Sequence, residues 1–203
     1  LYSSAASDVY KRQPEYEGYD PNVQGYTYDV EKAKQLMADA GYADGFDIEC
    51  SVSPGLLNST DVVQAIASQL AQIGINVTIK QEDSATQRDE IGAGTVAPLF
   101  LQGLGGPYCD INLIASIGFT EGARYCTWVS PEFMDLASQA ASEMDAEKRV
   151  ALYSQMQQMM VDEAPALWLY QQDTLYAYNS KKVQNWTART DEVVLMDLSL
   201  IHI

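Results

Sequence analysis

Between Phe46 and Ile79 the apolar residues change period twice, and that change restricts the chain to one class of fold. Phe46, Ile48, Cys50 and Val52 alternate with Asp47, Glu49 and Ser51, a period of two that predicts a half-buried strand. After a Pro54-Gly55 turn, with Thr60 or Asp61 as the cap, Val62, Val63, Ile66, Ala67, Leu70 and Ile73 recur at helical spacing as far as Gly74. Ile75, Val77 and Ile79 then alternate again. Two strands joined through a helix by short links cannot form a hairpin. They predict a right-handed crossover and a parallel pair, so the chain is α/β.

The flanking segments supply further elements. Residues 14–28, rich in Tyr, Gly, Pro and Asp, have no period and read as an irregular lead-in. Asp29 caps a helix whose stripe is Val30, Ala33, Leu36, Met37 and Ala40, with Gly41 as its stop. Asp83 or Ser84 starts a helix to about Ile91, and Val96 to Gln102 forms a compact apolar strand. Ser130-Pro131-Glu132 opens a helix with a core face of Phe133, Leu136, Ala137 and Ala140. Asp145 caps a longer helix to about Glu163, in which Val150, Tyr153, Met156, Met160 and Val161 recur at helical spacing, the methionines as core filler. Pro165 ends it. Ala166 to Gln171 and Leu175 to Tyr178 read as two strands around a turn at Gln172-Asp173.

The two ends of the chain have a different origin. Asp8-Val9-Tyr10-Lys11-Arg12-Gln13 can be encoded as GAT GTG TAT AAG AGA CAG, whose reverse complement encodes Leu198-Ser199-Leu200-Ile201-His202-Ile203. No fold requires that relation. It resembles the mosaic end of a transposase used to make sequencing libraries, with Ser3 to Gln13 as its adapter and Leu1-Tyr2 fitting an index. Residues 1–13 and 198–203 are therefore set aside as translated adapter, leaving 14–28 as lead-in, 29–165 as an α/β unit, and 166–197 as the strands that follow it.

Setting aside Asp8, Lys11 and Arg12 takes the balance from 12 basic and 28 acidic residues to 10 and 27, a net −17. So acidic a surface repels phosphates, and nucleic acid is excluded as a partner. His202 leaves with the adapter, so residues 14–197 contain no histidine, and no Ser-His or Cys-His pair can be assembled from them. Asp39, Asp135, Asp145, Glu147 and Asp162 read as solvated helix charges, and no enzyme activity is expected. Cys50 reads as a small buried hydrophobe. Cys109 and Cys126 lie in loops and can pair if the compartment is oxidising. Neither they nor Asp110 have the spacing of a metal site, and no cofactor is expected.

One loop stands out on physical grounds. Gly103-Leu104-Gly105-Gly106-Pro107-Tyr108-Cys109-Asp110 cannot continue a strand, and in α/β sheets ligands gather where strands end. The glycines permit close approach of a ligand to the backbone, or simply make a turn. The stretch lacks the GxxxxGK[ST] of a phosphate-binding loop.

Several segments together carry a resemblance. They are Tyr28-Asp29-Val30-Glu31-Lys32-Ala33-Lys34, Ala40-Gly41-Tyr42-Ala43-Asp44-Gly45-Phe46, and Ala65-Ile66-Ala67-Ser68-Gln69-Leu70-Ala71-Gln72-Ile73-Gly74-Ile75. Further along come Ser130-Pro131-Glu132-Phe133, Asp145-Ala146-Glu147-Lys148-Arg149, and Glu163-Ala164-Pro165 running into Leu169-Tyr170. In order and spacing they resemble the C-terminal part of family 5 extracellular solute-binding proteins, receptors of ABC importers for peptides, nickel chelates and some oligosaccharides. The resemblance implies one lobe of a two-lobed, periplasmic-binding-protein-like (type II) fold, extracytoplasmic, lipid-anchored and monomeric when complete. Such a receptor closes on a small solute, with a peptide or peptide-like ligand as the default, and delivers it to ABC permease subunits. A ligand-sensing lobe of a signalling receptor is the alternative, as is a receptor for an oligosaccharide or a nickel chelate.

The resemblance also points to residues. Peptide-binding members read close to Gly-Trp-Gly-Gly-Asp-Tyr-Pro-Asp-Pro at the strand exit, and their first Asp can pair with a peptide's amino terminus. Here Leu104 stands at the Trp position and Pro107 at that Asp position, while Tyr108 and Asp110 keep the later Tyr and Asp. Proline cannot neutralise an ammonium. Asp110 either takes over that role or ties down the loop through backbone hydrogen bonds. In Arg124-Tyr125-Cys126-Thr127-Trp128, Tyr125 and Trp128 either stack on a ligand or pack structurally, and Arg124 can hold a carboxylate. The candidate ligand-binding residues are thus Gly103, Leu104, Gly105, Pro107, Tyr108, Asp110, Arg124, Tyr125 and Trp128. Reading the source DNA outward from Pro14 and Asp197 is expected to replace residues 1–13 and 198–203 with other sequence; a gene that runs unbroken into them would overturn the adapter reading.

Overall fold

The computed structural model of the 203-residue chain describes residues 18, 20–54, 58–103, 111–126, 128–169, 177–179, 181–184 and 200–201. Helix α1 (Val30–Asp39) is followed by β1 (Phe46–Val52), α2 (Ser59–Leu70) with a 3-10 turn (Ala71–Ile73), β2 (Ile75–Gln81), α3 (Ser84–Ala93) and β3 (Leu99–Phe100). Then come three helices, α4 (Ile111–Gly118), α5 (Pro131–Ser142) and α6 (Ala146–Asp162), and two short strands, β4 (Val183–Gln184) and β5 (Leu200–Ile201).

The main sheet has the order β2-β1-β3. Seven residues of β1 run parallel to β2 in the register Phe46↔Ile75 to Val52↔Gln81, as the strand-helix-strand pattern predicts. Its even residues face α2: Cys50, Val52 and Val63 are buried together, with Val77, Ile79 and Leu101 packed against them. Burial holds the Cys50 thiol above its usual range, so it behaves as a small apolar residue. A second core lies among the helices. There Ala115 and Phe119 meet Phe133, Leu136, Ala137 and Ala140 of α5 and Tyr153, Met156 and Met160 of α6. The two methionines are fully enclosed, as the helical spacing implied.

The caps follow local chemistry. Asp29 accepts from the Lys32 amide, Asp83 from those of Ala85 and Thr86, Ser130 from that of Phe133, and Asp145 from those of Glu147 and Lys148. Helix α2 differs from expectation. It starts at Ser59 after Asn58 in the left-handed region, with no side-chain cap from Thr60 or Asp61. The Ser59 hydroxyl instead donates to the Ser53 carbonyl at 2.8 Å, tying the helix start to the end of β1.

Three further expectations are corrected. The strand expected over Val96 to Gln102 is reduced to Leu99–Phe100. The amides of Thr95 and Val96 both donate to the Glu90 carbonyl and close α3, and Pro98 has no N–H to offer a ladder. Ala166 to Leu169 are not a strand, because Ala166 and Trp168 pack against the helical core; nor are residues 177 and 178. The other residues of those two expected strands lie outside the described residues. Helix α4 has no counterpart among the expectations: its run Ile111-Asn112-Leu113-Ile114 is too short to show a period.

The lead-in is irregular but docked. Gln157, buried in α6, donates to the Gly18 carbonyl at 2.6 Å, Ser154 bonds Asp20, and Val23 is buried. The β4–β5 pairing is a two-residue antiparallel ladder, Val183↔Ile201 and Gln184↔Leu200, whose second strand lies in the stretch set aside as adapter. So short a ladder is marginal by itself.

Entry into β1 depends on a contact between two glycines. Gly45 has φ +74°, and a Cβ there would sit 2.0 Å from the Gly74 carbonyl oxygen, which accepts the Phe46 amide at 3.1 Å. Gly41, at φ +84°, has open space around it. Gly41→Ala is therefore expected to cost about 1 kcal/mol from backbone strain alone. Gly45→Ala should cost at least about twice as much, because the start of β1 must also separate from β2. Urea melts of the two variants compare them; equal losses would contradict the close approach.

Candidate functional site

Because β1, β2 and β3 are parallel, their C-terminal ends lie on one edge of the sheet. That is the edge on which α/β sheets build ligand sites. Gly103, three residues past Phe100, is exposed there. Leu104, Gly105, Pro107, Tyr108 and Asp110 lie outside the described residues, and α4 begins immediately after them at Ile111.

The second candidate patch belongs to the other end of α4. The Tyr125 amide donates to the Ile117 carbonyl at 3.3 Å, and the Cys126 amide to that of Ala123 at 3.2 Å. This sets a tight turn against the helix C-terminus, with Arg124 exposed and Tyr125 half-buried. Cys126 carries a free thiol that lies 3.2 Å from the Trp128 carbonyl. Trp128 is half-buried and meets Phe133 edge-on at 5.4 Å and Phe119 at 6.4 Å, while Phe119 also meets Trp168 at 5.7 Å. One part of the Trp128 ring therefore belongs to the helical core, and only the remainder is open to a ligand.

Tyr125 is thus held at the end of α4 by its main-chain bond to Ile117, while Trp128 is held by the Phe119 and Phe133 rings. Among the described residues no three His, Cys, Asp or Glu side chains converge on a metal position. No described helix is long and apolar enough to cross a membrane.

A buried polar cluster, which no sequence pattern announces, lies at the same sheet edge. Ser51 of β1 donates to the Glu82 carboxylate and accepts from Gln87 Nε2 of α3 at 2.9 Å; Ser51 and Gln87 are fully enclosed. Lys80 Nζ lies 3.0 Å from Glu82 Oε2 and 2.7 Å from Glu90 Oε2. The one available signal was Ser51, a hydroxyl opposite Cys50 in a strand about to be covered by a helix.

Burial pushes the Glu82 carboxyl upward, but the Ser51 and Lys80 hydrogen bonds and the Lys80 charge outweigh it and hold the group below its usual range. Asp83 is also held low, by Thr86 and by the backbone amides it caps. Hydrogen bonds to Glu90 and Glu82 hold Lys80 above its ordinary value.

The model of the bacterial extracellular solute-binding proteins, family 5 Middle, matches residues 2–121. That span takes in residues 2–13, so the match does not separate them from the rest. A dipeptide-binding protein of Escherichia coli is 31% identical over 158 residues, 74% of this chain and 30% of its own length. Heme-binding protein A of Haemophilus influenzae is 30% identical over 159 residues, 72% of this chain and 28% of its own length. The chain spans about a third or less of these relatives. A crystal structure of a periplasmic oligopeptide-binding protein from Borrelia burgdorferi superposes with a TM-score of 0.80 at 22% identity, covering 96% of this chain and 40% of that one. The fold is that of one lobe of a type II periplasmic binding protein.

The polar cluster generates a pH prediction. A carboxylate with a lowered folded value adds stability above the ordinary carboxylate range and loses it as pH falls through the lowered value. A lysine with a raised value contributes until pH rises through it. The urea midpoint is thus expected to hold steady around neutrality and to fall steeply in acid, and Glu82→Gln should flatten that acid limb. An acid limb identical in Glu82→Gln would show that the cluster does not contribute.

Proposed function

Because this chain belongs to the bacterial extracellular solute-binding proteins of family 5, we propose that it is part of the extracytoplasmic receptor of an ABC importer that captures a peptide or peptide-like solute. The observation that carries this reading is the family match across a parallel sheet whose C-terminal edge opens at Gly103. The complete receptor is lipid-anchored, contains a second lobe, closes around the solute by a hinge and delivers it to permease subunits. It performs no chemistry on its ligand and needs no cofactor.

Ligand contacts are assigned to Gly103, Leu104, Gly105, Pro107, Tyr108 and Asp110 at the strand exit, and to Arg124, Tyr125 and Trp128 at the far end of α4. Arg124 is exposed and suited to a carboxylate, and the open part of Trp128 offers a stacking face. Pro107 favours a second reading of the ligand, a solute without a free amino terminus, because no carboxylate stands there to meet an ammonium. The relatives include binders named for dipeptide and for heme, so this family accommodates both kinds of solute.

The test is a calorimetric titration of the complete receptor with trialanine, N-acetyl-trialanine and heme. Acetylation is expected to change the trialanine affinity by less than about threefold, because no buried carboxylate would lose its partner. Arg124→Ala should weaken trialanine about tenfold or more and leave its C-terminal amide nearly unaffected. A loss of a hundredfold on acetylation would mean that an acid such as Asp110 binds the amine. Failure of all three solutes to bind would remove peptides and heme from the ligand class.

A further inference from the structure

We infer that Ser51, Glu82 and Gln87 are positioning residues for the chain leaving β3, and so set the course of Leu101, Gln102 and Gly103 from the sheet to the surface. The inference deepens the functional reading above and relies on it only for the claim that Gly103 faces ligand. Strand β3 has two residues, paired only with β1 among the described residues through Cys50↔Leu99 and Ser51↔Phe100. Past them, the last main-chain tie to the sheet among the described residues is the Leu101 amide donating to the Ser51 carbonyl at 3.0 Å. Leu101 still packs against the sheet core, whereas Gly103 is exposed. The chain turns from core to surface within two residues of that bond, so the tilt of the Ser51 peptide sets its course.

What fixes that tilt is the Ser51 side chain. It is clasped from both sides, by Glu82 just past β2 and by Gln87 of α3. Glu82 is itself fixed, its amide donating to the Val52 carbonyl at 3.1 Å and its carboxylate facing Lys80, which also holds Glu90 of α3. Strand β1, the residue that follows β2 and helix α3 are thereby tied at one buried hydroxyl, and Leu101, just past β3, is tied to the carbonyl of the same residue. An apolar residue would fill position 51 for packing alone, and enclosing three polar side chains is costly unless each is satisfied. A polar cluster closed by the Ser51 hydrogen bonds and the Lys80 ion pair instead specifies one arrangement among several of similar packing energy, which a chain that must hold Gly103 in one place requires.

Amide hydrogen exchange on the full 203-residue chain tests this without any ligand. Gln87→Met matches the side-chain length but cannot donate to Ser51, and Ser51→Ala is the second variant. Each is expected to speed exchange at Leu101 by about tenfold or more, with a rise at Gln102 and Gly103, while amides of Ala137, Met156 and Met160 stay within about twofold. Unchanged exchange at Leu101 in both variants would overturn the inference, as would a rise at Leu101 no larger than that in α5 and α6. A complete receptor that binds no solute tested would refute the functional reading and leave the exchange result, and this coupling, in place.

Discussion

The parallel register of β1 with β2 is the constraint on which the other elements depend. Parallel strands cannot be joined by a tight turn, so the chain must cross the sheet, and α2 makes that crossing with its apolar side against Cys50, Val52, Val77 and Ile79. The register begins where Gly45 meets Gly74 backbone to backbone, a contact that no side chain would permit. It ends where Ser59 reaches back to Ser53 and Glu82 to Val52. Both ends are closed by local contacts, so a one-residue slip would break each of them and turn Cys50 and Val52 out of the core.

The sheet is half-covered in an uneven way. Parallel sheets generally bury both faces, yet Asp47, Glu49, Asn76 and Thr78 are exposed here, and Asn76 bonds Asp47 across the strands. Helix α3 covers only the end of that face, and the residues beneath it are polar. The result is a sheet whose outer half is solvated while its C-terminal edge is held by buried hydrogen bonds and an ion pair. That edge is also where β3 releases the chain toward α4, so the most constrained polar contacts lie next to the segment assigned to ligand.

The helical core plays a different part. Phe119, Trp128, Phe133 and Trp168 meet edge to face around the enclosed Met156 and Met160, which unites α4, α5, α6 and the chain beyond α6 in one apolar mass. Trp128 serves this mass while keeping part of its surface open. The chain belongs to the family 5 solute-binding proteins, and this mass gives it a support that is fixed by packing rather than by a ligand.

Residues within one turn of each other gave the sequence its legible part. The alternation in β1 and β2, the stripe of α2, and the caps Asp29, Asp83, Ser130 and Asp145 all act over three or four positions, and each forms as the chain chemistry dictates. The family itself was legible for the same reason, since its segments are strings of such local signals. What only the tertiary structure decided involves partners far apart. Ser51 and Gln87 are separated by 36 positions and Gln157 and Gly18 by 139, so no local window contains either bond. The length of β3 was settled by competition, because α3 takes the Val96 amide for its own end before a strand can use it. Trp168 was likewise drawn from an expected strand into the aromatic core, where burial of a large apolar surface outweighs the preference of a few residues for an extended ladder.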